Sequence, residues 1–150
     1  MIVVDLDGTV ADCSHRLHFI QGETKDWTGF FKASEFDKPI EPIVSLVEDI
    51  VNNGKVCLFL TGRSDMVEDE TLNWITNTFP NFIKDVDYHL VMRKEGDHRP
   101  DHEVKPELLA DFKTKMNHLD IDFILEDRSS VVKKWRELGY TCLQVAEGDF

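Results

Sequence analysis

Five short apolar runs, each separated from the next by a helical stretch, constrain the fold of this chain more than any other feature. Residues 2–6, 55–60, 87–92, 121–125 and 140–145 read as strands. Residues 40–53, 65–78, 104–117 and 129–138 read as helices. In the first helix Ile43, Leu46, Val47, Ile50 and Val51 recur at helical spacing, and Gly54 follows as a stop; Gly139 closes the last helix in the same way. Strict alternation of this kind predicts an α/β domain, a mostly parallel sheet with helices on both faces. At 150 residues the chain reads as one domain with a real core.

Residues 12–38 break the alternation. They hold Trp27, Phe30, Phe31 and Phe36 amid polar residues, with Arg16 near the start. A segment this long between a first strand and its helix reads either as a functional flap or as an insertion whose aromatics pack on the core. It is too short for a separate cap domain.

In open parallel sheets, ligands bind beyond the carboxyl ends of the strands. The residues at those ends form a consistent set. The first run, Ile2 to Val4, is followed by Asp5 and Asp7, then Gly8 and Thr9. Two crowded carboxylates need an offsetting charge, which a divalent cation or nearby basic groups supply. Gly8 permits the sharp turn that gathers them. The second run delivers Thr61-Gly62-Arg63, the third Arg93 and Lys94, and the fourth Glu126-Asp127. Acids, a hydroxyl and cations thus collect at one edge, the inventory for holding a cation and a phosphate together. Taken singly, each has a plainer reading: a turn, a solvated helix start, an N-terminal cap, a surface lysine at Lys105.

Composition bounds the partners. The net charge is −12, which argues against tracking an extended duplex but not against gripping one phosphate with local arginines. No apolar stretch is long enough to span a membrane, and Met1 directly precedes the first strand, so no signal peptide is expected. Cys13, Cys57 and Cys142 form no CxxC pair and read as thiols of a reducing, cytoplasmic compartment. His98 and His102 have the spacing of a helical metal pair, but Pro100 between them argues against a regular helix. No GxxxxGK[ST] phosphate loop is present, so no kinase half is expected.

The stretch Asp5-Leu6-Asp7-Gly8-Thr9 resembles the first motif of the haloacid-dehalogenase-like (HAD) phosphohydrolases. Thr61, Lys105 and Glu126-Asp127 fit that family's second, third and fourth motifs in the expected order. The resemblance implies a Rossmann-like fold with five parallel strands in the order 3-2-1-4-5. It implies Mg²⁺-dependent phosphomonoester hydrolysis. Asp5 would be the nucleophile, Asp7 the general acid/base, Thr61 and Lys105 the phosphoryl-holding groups, and Asp5, Asp7, Glu126 and Asp127 the metal-holding ones. Arg16, Thr61-Gly62-Arg63, Arg93-x-x-Gly96-Asp97-x-Arg99-x-Asp101-x-x-Val104-Lys105 and Gln144-Val145-Ala146-x-Gly148-Asp149-Phe150 are similar to one subgroup. That subgroup is the 3′-phosphatase half of phage polynucleotide kinase-phosphatases. It implies Arg16, Arg63 and Arg93 as substrate-binding residues and a phosphorylated nucleic-acid end or nucleotide as partner. Glu126 departs from the subgroup, which has Asp there. A small-nucleotide or sugar-phosphate phosphatase, and an idle Mg²⁺- or phosphate-binding module, remain alternatives.

Overall fold

The computed structural model describes residues 1–117 and 119–148; Asp149 and Phe150 of the terminal motif lie outside the described residues. Seven strands and five α-helices run in chain order: β1 (Ile2–Val4), β2 (Ala11–Asp12), α1 (Trp27–Lys32), β3 (Lys38–Pro39), α2 (Glu41–Asn52), β4 (Cys57–Ser64), α3 (Glu68–Thr78), β5 (Tyr88–Arg93), α4 (Asp101–Lys115), β6 (Phe123–Arg128), α5 (Ser129–Glu137) and β7 (Cys142–Gly148). Five of the strands form one sheet in the order β5-β4-β1-β6-β7, with every neighbouring pair parallel. This is the expected doubly wound arrangement, with the first strand in the middle.

The period-2 geometry of the central strands divides the core in two. Ile2 and Val4 of β1, with Phe59 of β4, face Val44, Val47 and Val51 of α2 and Trp74, Ile75 and Phe79 around α3. Val3, Leu58 and Leu60 face Leu109 of α4 and Val131, Val132 and Trp135 of α5. Leu46 lies off the buried stripe of α2 and is exposed.

Two boundaries differ from the sequence reading in a way that matters for the site. β4 does not stop at residue 60; it continues through Thr61-Gly62-Arg63 to Ser64, with its register against β5 shifting between Thr61 and Ser64. β6 likewise carries Glu126 and Asp127 within the strand and shifts register before Arg128. The polar residues are thus held by irregularities inside the sheet rather than by loops beyond it. α4 begins at Asp101, three residues earlier than expected, directly after the extended Pro100.

Residues 12–38 fold into short turns and α1, and the segment closes on itself where β2 and β3 pair antiparallel. Asp26 caps α1 by accepting from the Gly29 N–H at 2.8 Å.

Candidate active site

The loop after β1 is built around one carbonyl. Leu6 O accepts from the N–H groups of Thr9, Val10 and Ala11, at 3.1, 3.0 and 2.9 Å. This tight turn requires φ +83° at Gly8, where a Cβ would come within 2.2 Å of Asp127 Oδ2. Glycine is therefore demanded twice, by conformation and by clearance. Thr9 Oγ1 reaches Asp127 Oδ1 at 3.4 Å, tying the loop to the end of β6. Gly62 meets a similar limit: a Cβ there would lie 2.7 Å from Asp101 Oδ1.

Two charged clusters result. In the first, Lys105 Nζ from α4 lies 2.8 Å from Asp5 Oδ1 and 2.7 Å from Glu126 Oε2. Oxygens of Asp5, Glu126 and Asp127 lie within 4.8 Å of one another, and all three residues are buried. Glu126 is the most committed of them, because its Oε1 also accepts from the N–H groups of Asp127 and Arg128, each at 3.2 Å. Gln144 Nε2 braces the same backbone, donating to Asp127 O at 2.9 Å. Three acids face one ammonium, and the imbalance is visible in their titration. Burial, then Glu126, push the Asp5 carboxyl up to about 8 against the pull of Lys105. Burial, then Asp5, raise Asp127 to about 6. Burial alone would lower Lys105, but Asp5 and Glu126 outweigh it and keep the ammonium charged.

In the second cluster, Asp7 Oδ1 accepts from Arg16 Nη2 at 2.6 Å and from Arg63 Nε and Nη2 at 2.9 and 2.5 Å. Both arginines also donate to Asp37. Arg16 and Arg63 are fully buried. Phe30 covers the Arg16 guanidinium at 4.3 Å, and Trp74 lies 5.9 Å from that of Arg63. Burial would raise Asp7, but Arg63 and then Arg16 hold it down to about 2.

The expected residues are thus brought to one edge, in two groups. Thr61 is buried beside them, with its Oγ1 accepting from Arg63 N–H at 3.1 Å. Four of the five Arg93 N–H groups go to protein: it donates to the carbonyls of Gly62, Asp97 and Arg99 and to the Asp101 carboxylate. Arg128 Nη1 reaches the other Asp101 oxygen at 2.7 Å. Asp37 was not anticipated. No motif marks it, but charge neutrality does: two buried guanidiniums cannot be balanced by Asp7 alone.

Among the described residues no helix is long and apolar enough to cross a membrane. The model of the polynucleotide kinase PNKP phosphatase domain matches residues 1–150. A protein of Autographa californica nuclear polyhedrosis virus, assigned as a bifunctional polynucleotide kinase/RNA ligase, is 29% identical over 139 residues, 91% of this chain and 18% of the viral protein. A chain in the structure of the Pnkp1/Rnl/Hen1 complex superposes with a TM-score of 0.77 at 26% identity, over 99% of this chain and 46% of that one. A haloacid dehalogenase-like hydrolase from Streptococcus pneumoniae has the same fold, with a TM-score of 0.62 at 14% identity over 95% of this chain and 82% of that one. The chain therefore spans less than half of the first two of these relatives. It belongs to the family of polynucleotide kinase PNKP phosphatase domains and is a HAD-type phosphatase.

Proposed function

We propose that this chain removes 3′-phosphates from nucleic-acid ends or nucleotides through an aspartyl-phosphate on Asp5, with Mg²⁺ as cofactor. The observation that carries the reading is the contact of Asp5 with Lys105 inside a buried group of three carboxylates. One ammonium against three acids leaves two negative charges, a match for a divalent cation. Asp5 and Asp127 are the residues that would hold it, since both oxygens of Glu126 are already engaged by Lys105 and the backbone. Glu126 then serves to hold Lys105 and to complete the negative charge. When bound, the ion supplies charge neutralisation at the phosphoryl oxygens.

The chain's own residues supply the rest. An Asp5 oxygen attacks phosphorus and forms an acyl-phosphate as the ester oxygen departs. Asp7, held as a carboxylate by Arg63 and Arg16, takes up a proton from solvent, gives it to that oxygen, and then takes a proton from the water that releases phosphate. Lys105 and Thr61 stabilise charge on the transferring group. Arg16 and Arg63 act on Asp7 before they act on substrate, and Arg93 braces Gly62 against the 97–101 stretch. The likeness to a polynucleotide kinase/RNA ligase and to a chain of the Pnkp1/Rnl/Hen1 complex supports a nucleic-acid end as substrate. The three cysteines are unpaired, in keeping with a reducing, cytoplasmic setting.

The test is a substrate panel with Mg²⁺ or a chelator: a 3′-phosphorylated oligonucleotide, its 5′-phosphorylated isomer, a nucleoside 3′-phosphate and a sugar phosphate. The reading expects the 3′ end to react faster than the 5′ end, and all turnover to stop with the chelator. Preference for 5′ ends or sugar phosphates would remove the 3′-end assignment, and the acidic surface would then favour a small-metabolite phosphatase. Turnover that persists without divalent metal would remove the Mg²⁺ assignment.

A further inference from the structure

We infer that Asp37, carried by the 12–38 flap, is a positioning residue for Asp7 and acts on it through Arg16 and Arg63. The Asp37 side chain has no solvent exposure and no place in the three-acid group. It accepts from Arg16 Nε and Nη2, both at 2.7 Å, and from Arg63 Nη2 at 2.8 Å, and His15 Nε2 lies 2.8 Å from it. The Nη2 atoms of both arginines are shared: each donates at once to Asp37 Oδ2 and to Asp7 Oδ1.

The consequence lies in which oxygen of Asp7 is used. Every hydrogen bond it accepts from the described residues lands on Oδ1, and Oδ2 accepts none. A carboxyl that hands a proton to a leaving group must keep one oxygen turned to it. Arginine prefers to grip a carboxylate with two parallel N–H bonds. Arg16 gives that fork, Nε and Nη2, to Asp37, so only the shared Nη2 reaches Asp7. Without the Asp37 charge the fork is released to close on Asp7, and Oδ2 loses its availability. Asp37 itself is fixed independently of the arginines. Trp74 Nε1 donates to its carbonyl at 2.8 Å, and the β2–β3 pairing anchors the residue that follows it. Arg16 and Asp37 come from the flap, Asp7 from the loop after β1 and Arg63 from β4, so the quartet also makes the geometry of Asp7 depend on flap docking.

This rests on the reading of Asp7 as general acid/base, and the test separates the two. Asp37→Asn and Asp7→Asn are each assayed on 4-nitrophenyl phosphate and on the fastest alkyl phosphomonoester of the panel. An aryl leaving group needs little protonation, whereas an alkoxide needs much. For Asp37→Asn the expected result is a kcat loss of about 30-fold on the alkyl ester and less than about threefold on the aryl ester. An equal loss on both, or none, overturns the positioning role. If Asp7→Asn shows the split and Asp37→Asn does not, the acid/base reading stands and the inference falls. If Asp7→Asn lowers both substrates equally, the acid/base reading falls, and a split in Asp37→Asn then also overturns an action through Asp7. A thermal melt checks folding. Should Asp37→Asn not fold, Asp37→Ser, which also removes the charge and releases the Arg16 fork, must give the same split, and a uniform loss there overturns the inference.

Discussion

The two charged clusters sit side by side and solve opposite problems. Around Asp7, two carboxylates meet two guanidiniums, and Asp7 is held at about 2 although burial would raise it. Around Asp5, three carboxylates meet one ammonium, and Asp5 rises to about 8. The first cluster is balanced in charge by the protein alone, although Arg63 Nη1 is buried without a hydrogen-bond partner among the described residues. The second is left short of positive charge. A satisfied polar network fixes geometry, whereas an under-neutralised one recruits a cation. On the proposed reading, the difference divides the work: orientation on the Asp7 side, reactivity and metal affinity on the Asp5 side.

The largest expected effect tests the reactive side. Asp5→Asn should lower kcat on every phosphomonoester by at least about a thousandfold while leaving the melting temperature near that of the parent. Asn keeps the shape but cannot form the acyl-phosphate. A variant within tenfold of the parent would end the contrast between the clusters.

Next is the lone cation. Lys105→Met leaves three buried acids without a counter-charge. It should cost about 3–5 kcal/mol of stability in the absence of divalent metal, and adding Mg²⁺ should recover part of that loss. Denaturant melts with and without Mg²⁺ check both statements. Asp37→Asn, whose quartet would take up no metal, should show no comparable Mg²⁺-dependent recovery.

The titrations give a third, smaller signature. The folded value of Asp5, about 8, lies above its ordinary 3.8, and Asp127 stands at about 6. Between about 4 and 8 the folded protein holds a proton that the unfolded chain has released. Metal-free stability on this account therefore falls as pH rises through that window. Mg²⁺ must displace those protons, so its apparent affinity should climb as pH passes 6 and then 8. Calorimetry in buffers of different ionisation heat reads the proton release. Asp7 gives the opposite sign: its contribution is present above 3.8 and is lost as pH falls through about 2.

How much of this was legible in the sequence follows from the same contrast. The edge carrying Asp5, Thr61, Glu126 and Asp127 could be anticipated, because a doubly wound sheet leaves few places for strand-end residues; the strand order and the part of Lys105, on a helix, came with the family resemblance. The register shifts at Thr61–Ser64 and Glu126–Arg128 could not, since a bulge has no hydrophobic period of its own. Nor could the fate of the arginines. Arg93 reads as a phosphate ligand, but its donors go to three carbonyls and Asp101. Asp37 sits in a segment with neither strand nor helix periodicity, and only the three-dimensional charge balance singles it out.

The smallest effect concerns reach. Distant phosphates of a bound oligonucleotide meet a surface with net charge −12. The logarithm of kcat/KM should therefore change with the logarithm of salt concentration by a slope of about one or less. Rates should also vary little with oligonucleotide length. Arg93→Ala should depress all substrates alike, by roughly tenfold, as expected when a loop brace rather than a substrate contact is lost.

β1, in the middle of the sheet, is also the first of the domain's strands in chain order. Thr9 and Asp127 meet across 118 positions of chain, and β1 finds its second neighbour only when β6 has been made. Nearly the whole domain must be translated before Asp5 has its acidic neighbours, and such long-range pairing slows folding. A growing chain that ends before Phe123 thus carries an Asp5 without Glu126 and Asp127. On the proposed reading, phosphatase turnover and Mg²⁺ uptake would double as reporters that β6 has been made and is in place.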